Sequence, residues 1–305
     1  MRPGTSGLRK KVEVWQALDD VNKNYVENFI QSLVDTAVHK NGGKMLDTVI
    51  VAGDGRYYNN EAIQIICRVL AGNGVANIWI PKGGIMSTPA VSAAIRRLEG
   101  GKAQGGIVLT ASHNPGGPGE DFGIKYNEGF GQPAGEDFTE EMYSRSLEIK
   151  SFKTVENAKD IDLNADIGTK VSITDTSMVT IIDPFETYVD TLKECFDFES
   201  LKKFGQREEF SILFDGMHGA GGPFAKRVLV NELGLPEVSH WRNDILQYSD
   251  FSAFSKYFIH LLVFANEVQS FARLWKMPSR SKPYLCRRSS QDDGSETRWK
   301  CRRRH

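Results

Sequence analysis

Cysteine is scarce in this chain: four of the 305 residues are cysteine, and no two of them form a CxxC pair. Secreted domains that depend on disulfides are far richer in cysteine, so we expect no disulfide scaffold and a reducing, cytoplasmic setting. No apolar run reaches the roughly 18 residues of a transmembrane helix, which predicts the absence of a membrane span. The first residues, MRPGTSGLRKK, also lack the apolar stretch of a signal peptide.

Net charge is nearly absent as well, at −1, but this value is the sum of two unlike parts. Residues 1–237 carry 25 basic and 33 acidic side chains, whereas residues 238–305 carry 13 basic and 6 acidic ones and one of the 29 glycines. The break predicts a divergent basic tail, such as a translated intron, a frameshift or an alternative exon. We expect a helix over 252–275 and disorder from residue 276. A solvated tail is the simpler prediction, and a nucleic-acid patch is the alternative.

Strands and helices alternate along residues 1–237, which is typical of α/β domains with mixed, largely parallel sheets. The pattern predicts strands within 12–15 (Val12–Trp15), 48–56, 76–81 and 106–110, and helices within 22–38, 62–74, 89–100 and 138–149. A second unit follows, with a helix over 183–204, a strand near 210–215 and a helix over 223–234. Asn22 or Asn24 is expected to cap the first helix, and Asp183 the helix that begins the second unit. We therefore predict one complete domain over 1–180 and part of a second over 181–237.

The segment TASHNPGGPGEDFGIKYN (110–127) carries the clearest chemical signal. Ser112 and His113 follow an apolar strand and precede a loop rich in glycine and proline. In an open parallel sheet, ligands bind beyond the carboxyl ends of the strands, where Ser112 is expected. A serine hydroxyl can carry a phosphoryl group when cations offset the phosphate charge, and His113 and Lys125 are near in sequence. The alternative is that Ser-His-Asn-Pro is turn chemistry alone.

The N-terminal segment RPGTSGLRK (2–10) is a second candidate. Thr5 and Ser6 offer hydroxyl groups, and the glycines beside them allow backbone N–H groups to approach an anion. Arg9 can bind phosphate in bidentate fashion. The alternative is a flexible, solvated terminus.

Two other loops also follow strands. GDGR (53–56) predicts either a loop at the mouth of the site, with Arg56 nearby, or an ordinary turn at a strand end. FDGMHGAGG (214–222) contains Asp215 and His218. One aspartate and one histidine are weak evidence for a metal site, so a structural turn is the simpler prediction there.

Taken together, these segments resemble one family. TASHNPGG, followed by FGIKYN and preceded by PGTSGLRK, is similar to the α-D-phosphohexomutases, in particular the eukaryotic-type phosphoglucomutases. GDGRYY (53–58), GGIMSTPAVS (83–92), IIDPFETYVDTLKECFDF (181–198) and FDGMHGAGGPFAKRVL (214–229) match in the same order. The resemblance covers about residues 2–237 and implies three-layer α/β domains of the phosphohexomutase type around a deep cleft.

The resemblance also implies a reaction, the interconversion of glucose 1-phosphate and glucose 6-phosphate. Ser112 would carry the phosphoryl group, with glucose 1,6-bisphosphate as the intermediate. One Mg²⁺ would bind the phosphate on Ser112, and His113 and Lys125 would transfer protons or stabilise charge. Thr5, Ser6 and Arg9 would line the same centre. The expected partners are hexose phosphates. We expect a monomer that does not bind nucleic acid.

The sequence departs from this family in one respect that matters. The family's metal loop of the form DGDGDR and its sugar-recognition loop with GEESFG do not occur in the 305 residues, and neither does its later phosphate-binding loop. Mg²⁺ needs several oxygen ligands, so we predict a phosphoglucomutase that is impaired as written. The alternative is a non-catalytic, phosphoglucomutase-like fragment or binding protein.

Overall fold

A computed structural model describes residues 1–4, 6–17, 22–207, 210–215, 219–235, 260–265, 284–288 and 299–303. Its contacts divide the chain into two units, Met1–Val263 and Phe264–His305. The boundary falls beyond the predicted second domain, so the predicted domain limits at 180 and 237 stay predictions. Within the described residues, no helix is long and apolar enough to cross a membrane.

A seven-stranded mixed sheet organises the first unit. Its strands are β1 (Leu8–Lys11), β2 (Thr48–Gly53), β3 (Asn77–Pro81), β4 (Gly105–Leu109), β5 (Asp121–Glu128), β6 (Lys170–Thr174) and β7 (Ser177–Ile182). Their spatial order is β1-β5-β4-β2-β3-β7-β6. The central strands β4, β2, β3 and β7 pair in parallel, whereas the β1–β5, β5–β4 and β7–β6 pairs are antiparallel. The predicted α/β class with a mixed sheet is confirmed, with parallel pairing confined to the centre.

Helices cover both faces of this sheet and complete three layers. In chain order, the helices of the first unit are α1 (Val12–Trp15), α2 (Tyr25–Lys40), α3 (Asn59–Asn73), α4 (Thr88–Arg97), α5 (Glu136–Glu148), α6 (Glu186–Cys195), α7 (Phe198–Gly205) and α8 (Gly221–Ala225), which continues as a π-helix over Lys226–Glu232. Short 3₁₀ turns lie at Lys82–Gly84 and Leu98–Gly100. Because neighbouring residues of a strand point to opposite faces, Val49 and Val51 of β2 join the core with α2 and α3, while Ile50 and Ala52 join the core with α4.

The predicted strand at Val12–Trp15 is wrong, because the strand lies one step earlier, at β1, and Val12–Trp15 forms α1. Val12 and Val14 suggest the two-residue period of a strand, but the side chains that are buried are Val12 and Trp15, at helical spacing. The indole N–H of Trp15 donates to the carbonyl of Phe122 at 2.9 Å. This bond and the burial of the ring favour the helical turn over an extended chain.

The predicted helix caps have mixed outcomes. Asn24 occupies the N-cap position of α2, but it has a left-handed backbone and its side chain makes no capping bond. Asp183 is not the N-cap of α6, since that position is Phe185, but its carboxylate lies just before the helix and accepts from the N–H groups of Phe185 and Glu186 at 2.7 and 3.3 Å. The helix predicted over 183–204 is two helices, because Asp197 starts α7 by accepting from the N–H of Ser200 at 3.0 Å.

The later strands correct the predictions for the C-terminal part. After β8 (Phe210–Asp215), a strand β9 (His260–Ala265) lies inside the helix predicted over 252–275, where HLLVFA is a continuous apolar run that suits either structure. The rest of that predicted helix lies outside the described residues. In the second unit, β10 (Tyr284–Arg288) and β11 (Trp299–Arg303) pair antiparallel within the stretch predicted to be disordered. The other residues from 276 lie outside the described part.

Candidate active site

Ser112 lies in the loop that joins β4 to β5, which we call the serine loop (residues 110–120). This loop leaves the carboxyl end of a parallel strand, as predicted, and the side chains of Ser112 and His113 are exposed. Ser112 Oγ and His113 Nδ1 are 3.4 Å apart. The φ of Ser112 is +59°, a left-handed conformation that is uncommon for serine and marks a constrained backbone.

Arg56 lies under the serine loop and binds both of its ends. It follows β2, and its side chain is only 6% exposed. Its Nε and Nη2 donate to the two carboxylate oxygens of Asp54, each at 2.9 Å. Nη2 also donates to the carbonyl of Ser112 at 3.2 Å, and Nη1 donates to the carbonyl of Asp121 at 2.6 Å. The buried guanidinium therefore ties the start of the loop to the strand that follows it.

Thr110 links the same carboxylate to the backbone of the serine. Its hydroxyl donates to Asp54 at 2.7 Å and accepts from the N–H of Ser112 at 2.9 Å. We call Asp54, Arg56 and Thr110 the Arg56 network. Through it, both the N–H and the carbonyl of Ser112 have fixed partners, while the hydroxyl remains at the surface.

Asp121 closes the other end of the serine loop. Its carboxylate accepts from Asn114 at 2.8 Å and pairs with Lys11 at 3.1 Å. Burial raises the pKa of Asp121, but the hydrogen bonds from Lys11 and Asn114 outweigh it, so the pKa lies below its ordinary value. This carboxylate is therefore ionised and engaged in holding the loop.

Lys125 and Arg9 form a cationic pair on the two strands beside the serine loop. Lys125 lies on β5, opposite Val108 of β4, and Arg9 lies on β1, opposite Gly123. Lys125 is half-buried, and burial followed by the charge of Arg9 lowers its pKa. Within the part of the chain that the structure describes, neither side chain forms a hydrogen bond or an ion pair. The charge of Asp54 acts on Lys125 in the opposite direction, but the oxygens of that carboxylate are engaged by Arg56 and Thr110. The donors of the two cations therefore remain open to an anionic ligand.

The N-terminal loop (residues 4–7) packs directly against Lys125. Backbone hydrogen bonds of 3.3 and 2.8 Å join Gly4 and Gly7. Gly7 has a φ of +85°, and a Cβ there would lie 2.6 Å from the Cβ of Lys125, so only glycine allows this approach. Ser6 is exposed on the loop, and Thr5 lies outside the described residues. The structure thus brings Ser6, Arg9 and Lys125 to one edge of the sheet, next to the strand that leads to Ser112.

Comparison with known proteins identifies the family. The phosphoglucomutase/phosphomannomutase alpha/beta/alpha domain I matches residues 1–153, half of the chain. The chain belongs to the phosphoglucomutase/phosphomannomutase family. It is 45% identical over 244 residues to the cytoplasmic phosphoglucomutase of Bromus inermis, covering 78% of this chain, and 43% identical over 242 residues to that of Populus tremula. The chain spans 40% of the length of these relatives.

The fold agrees with solved structures of the phosphoglucomutase family. The open form of the exocytosis-sensitive phosphoprotein pp63/parafusin, a phosphoglucomutase from Paramecium, matches with a TM-score of 0.72 and 41% identity, over 82% of this chain and 44% of that one. A phosphomannomutase from Thermus thermophilus, 23% identical, shares the fold with a TM-score of 0.53, over 77% of this chain and 44% of that one. The predicted phosphohexomutase-type domain is therefore confirmed.

The residues of this family member do not fit a magnesium site by themselves. The described part of the chain contains no group of three or more His, Cys, Asp or Glu side chains that could hold a metal. The carboxylates that hold the serine loop, Asp54 and Asp121, are engaged with Arg56, Thr110, Asn114 and Lys11. Mg²⁺ prefers near-octahedral oxygen coordination, and Ser112 would supply one ligand. Residues 216–218, with His218, lie outside the described part, as does the side chain of Asp215.

The role of Asp54 and Thr110 is what sequence reasoning missed in this site. For GDGR, both a loop at the mouth of the site and an ordinary turn were possible, and the structure instead buries Arg56 beneath the serine loop. The useful signal was an aspartate two residues before an arginine at the end of a strand. That spacing permits a carboxylate–guanidinium pair, but it does not reveal which distant carbonyl groups the arginine also binds.

Proposed function

We propose that this chain carries the phosphoryl-exchange site of a phosphoglucomutase. In the proposed reaction, the bond from phosphorus to Ser112 Oγ breaks while a hydroxyl oxygen of glucose 1-phosphate or glucose 6-phosphate bonds to phosphorus. The product is glucose 1,6-bisphosphate, which then returns its other phosphoryl group to Ser112 Oγ. The single observation that carries the proposal is an exposed Ser112 hydroxyl whose own backbone is fixed by the Arg56 network.

The residues around Ser112 have distinct proposed roles. His113, whose ring nitrogen is 3.4 Å from Ser112 Oγ, accepts or returns the proton that the reacting hydroxyl loses or gains. Lys125 and Arg9 offset the negative charge of the phosphoryl group, since positive groups fixed in advance stabilise the charge of the transition state. Thr5 and Ser6 offer hydroxyl groups to the same phosphate.

Turnover and localisation are also part of the proposal. The resemblance implies Mg²⁺, but the described residues do not form a site for it by themselves. We expect the 305-residue chain, assayed by itself, to exchange phosphate at Ser112 while converting glucose 1-phosphate to glucose 6-phosphate slowly. Because its plant relatives are named cytoplasmic, we expect a cytoplasmic protein. The expected monomeric state stays a prediction.

Phosphate transfer from radiolabelled glucose 1,6-bisphosphate tests this function. We expect stoichiometric label on the peptide that contains Ser112, and none on the Ser112→Ala variant. Ser144→Ala, at an exposed serine of α5, is the matched control and should keep the label. Equal labelling of Ser112→Ala and the unaltered chain would contradict the proposal. A coupled assay for glucose 6-phosphate then measures turnover, and a rate near that of an intact mutase would refute the predicted impairment.

A non-catalytic binding protein is the second candidate function. The name of the Paramecium relative describes an exocytosis-sensitive phosphoprotein, so members of this family can be phosphorylated in another setting. The same labelling experiment separates the two functions. A phosphoryl-exchange site takes phosphate from the sugar bisphosphate without a protein kinase, whereas a chain that only binds sugar phosphates stays unlabelled.

A further inference from the structure

Arg56 has the bonding pattern of a residue that organises a site without contacting its ligand. All three of its side-chain nitrogens are engaged: Nε and Nη2 with Asp54, Nη2 with Ser112, and Nη1 with Asp121. Nη1 also lies 3.5 Å from the carbonyl oxygens of Asn114 and Pro115. A planar guanidinium can bind several carbonyl groups at fixed angles, and the ammonium of lysine cannot.

The serine loop is built to lie directly on Arg56. The N–H of Tyr57 donates to the carbonyl of Gly116 at 3.0 Å. A Cβ on the buried Gly116 would lie 2.9 Å from the Cβ of Arg56, so any larger residue there would lift the loop. This close packing explains why the sequence has glycine after Asn-Pro.

Arg56 differs from a cation that binds phosphate because its positive charge is already compensated. Its charge is compensated by Asp54 at 2.9 Å, and its N–H groups are directed to carbonyl oxygens. One of these carbonyl oxygens is that of Ser112 itself. Without a donor, the negative end of this carbonyl dipole would repel a phosphoryl group on the same residue. Binding this carbonyl also holds Ser112 at its φ of +59°, which costs free energy and needs support from its surroundings.

We infer that Arg56 is a positioning residue for phosphoryl transfer at Ser112, acting through the serine-loop carbonyl groups and through Thr110. This inference rests on the proposed function. Arg56 sets the direction of the Ser112 hydroxyl and contributes nothing to the binding of the sugar phosphate. Its loss is therefore expected to slow the chemical step and to leave substrate affinity unchanged.

The test compares Arg56→Lys with the unaltered chain in the labelling reaction, over a range of glucose 1,6-bisphosphate concentrations. We expect the saturating rate constant to fall about tenfold to a hundredfold, as for a reacting group displaced by about 1 Å. The half-saturating concentration and the final labelled fraction should stay unchanged. A purely structural role would lower the labelled fraction and leave the rate constant of the folded molecules intact, and that result would overturn the inference.

Arg68→Lys is the matched control, because Arg68 also pairs with a carboxylate, Asp160, and donates to a carbonyl, that of Ala158 at 3.2 Å. It lies on α3 and should label at the unaltered rate. An equal loss of rate in Arg68→Lys would overturn the inference, since any arginine that holds a loop would then have the effect.

Hydrogen exchange of the amides in residues 110–121 gives a readout that does not depend on phosphoryl transfer. Arg56→Lys should speed exchange there and not in β3. If the unaltered chain takes no label, the proposed function fails, and this measurement still decides whether Arg56 holds the loop. Unchanged protection of residues 110–121 would overturn the inference in either case.

Discussion

Arg56, in the loop after β2, and Lys125, on β5, are two cations beside the serine loop, and they are held in opposite ways. Arg56 is buried, and Asp54 and backbone carbonyl groups engage each of its side-chain nitrogens. Lys125 is half-buried beside Arg9 and, among the described residues, makes no hydrogen bond or ion pair. A cation with every donor engaged builds the loop, whereas a cation without a partner remains available for an anionic ligand.

Replacing Arg56 by methionine should have the largest effect on stability. Removing one partner of a buried ion pair leaves an uncompensated charge, here that of Asp54, and typically lowers the free energy of unfolding by about 3–5 kcal/mol. Urea unfolding measures the change, with Lys125→Met as the control of opposite type. A loss of less than about 1 kcal/mol for Arg56→Met would show that the two cations do not differ as described.

Lys125→Met should have the opposite effect: it should slow the labelling of Ser112 and leave the stability of the fold unreduced. Loss of one charge-stabilising group commonly lowers a rate by about 10²- to 10³-fold, and we expect that loss in the labelling of Ser112. The free energy of unfolding should not fall, because the substitution removes a partly desolvated charge. Lys102→Met, at an exposed lysine 3.6 Å from Glu99, should leave the rate unchanged. A normal labelling rate in Lys125→Met would exclude contact with the phosphoryl group.

The pH dependence of Lys125 gives the smallest and most specific effect. Burial and Arg9 lower its pKa in the folded chain, so folding favours the neutral amine. The free energy of unfolding should therefore rise as pH increases from the folded pKa towards the ordinary value of about 10.4. The labelling rate should fall over the same interval, because the charge is lost.

Subtracting the stability curve of Lys125→Met from that of the unaltered chain isolates this contribution. The subtraction is needed because Lys11 and Lys40 have raised pKa values, from their hydrogen bonds with acidic side chains, and lose stability at alkaline pH. A difference curve that is flat or that falls with pH would contradict the lowered pKa of Lys125.

The repeated α/β units could be predicted from sequence because their signals are local. β2, α3, β3, α4 and β4 lie close to their predicted positions, since each has a clear apolar period and glycine or proline at its ends. Gly74, at a φ of +93°, ends α3 at the predicted end of that helix. A continuous apolar run such as that of β2 also signals a strand covered on both faces.

The antiparallel additions could not be predicted in the same way. β5 was not among the predicted strands, because its polar residues Lys125 and Asn127 obscure the strand pattern of DFGIKYN. Its place between β1 and β4 depends on partners distant in sequence. The same holds for the site, because the predicted residues Ser112 and Lys125 were named from one segment, while the bonds that fix the serine come from Arg56, 56 residues earlier.

The pairing of β1 with β5 has a consequence for the order of folding. Leu8 pairs with Ile124, so more than a hundred residues separate the two strands in the sequence. During synthesis at roughly 5–20 residues per second, β1 leaves the ribosome several seconds before its partner exists. β4 and β5 are joined by the short serine loop and can pair as soon as both have been synthesised. That loop can therefore form before β1 has paired with β5. The cationic edge with Arg9 and Lys125 therefore cannot assemble before β5 has been synthesised.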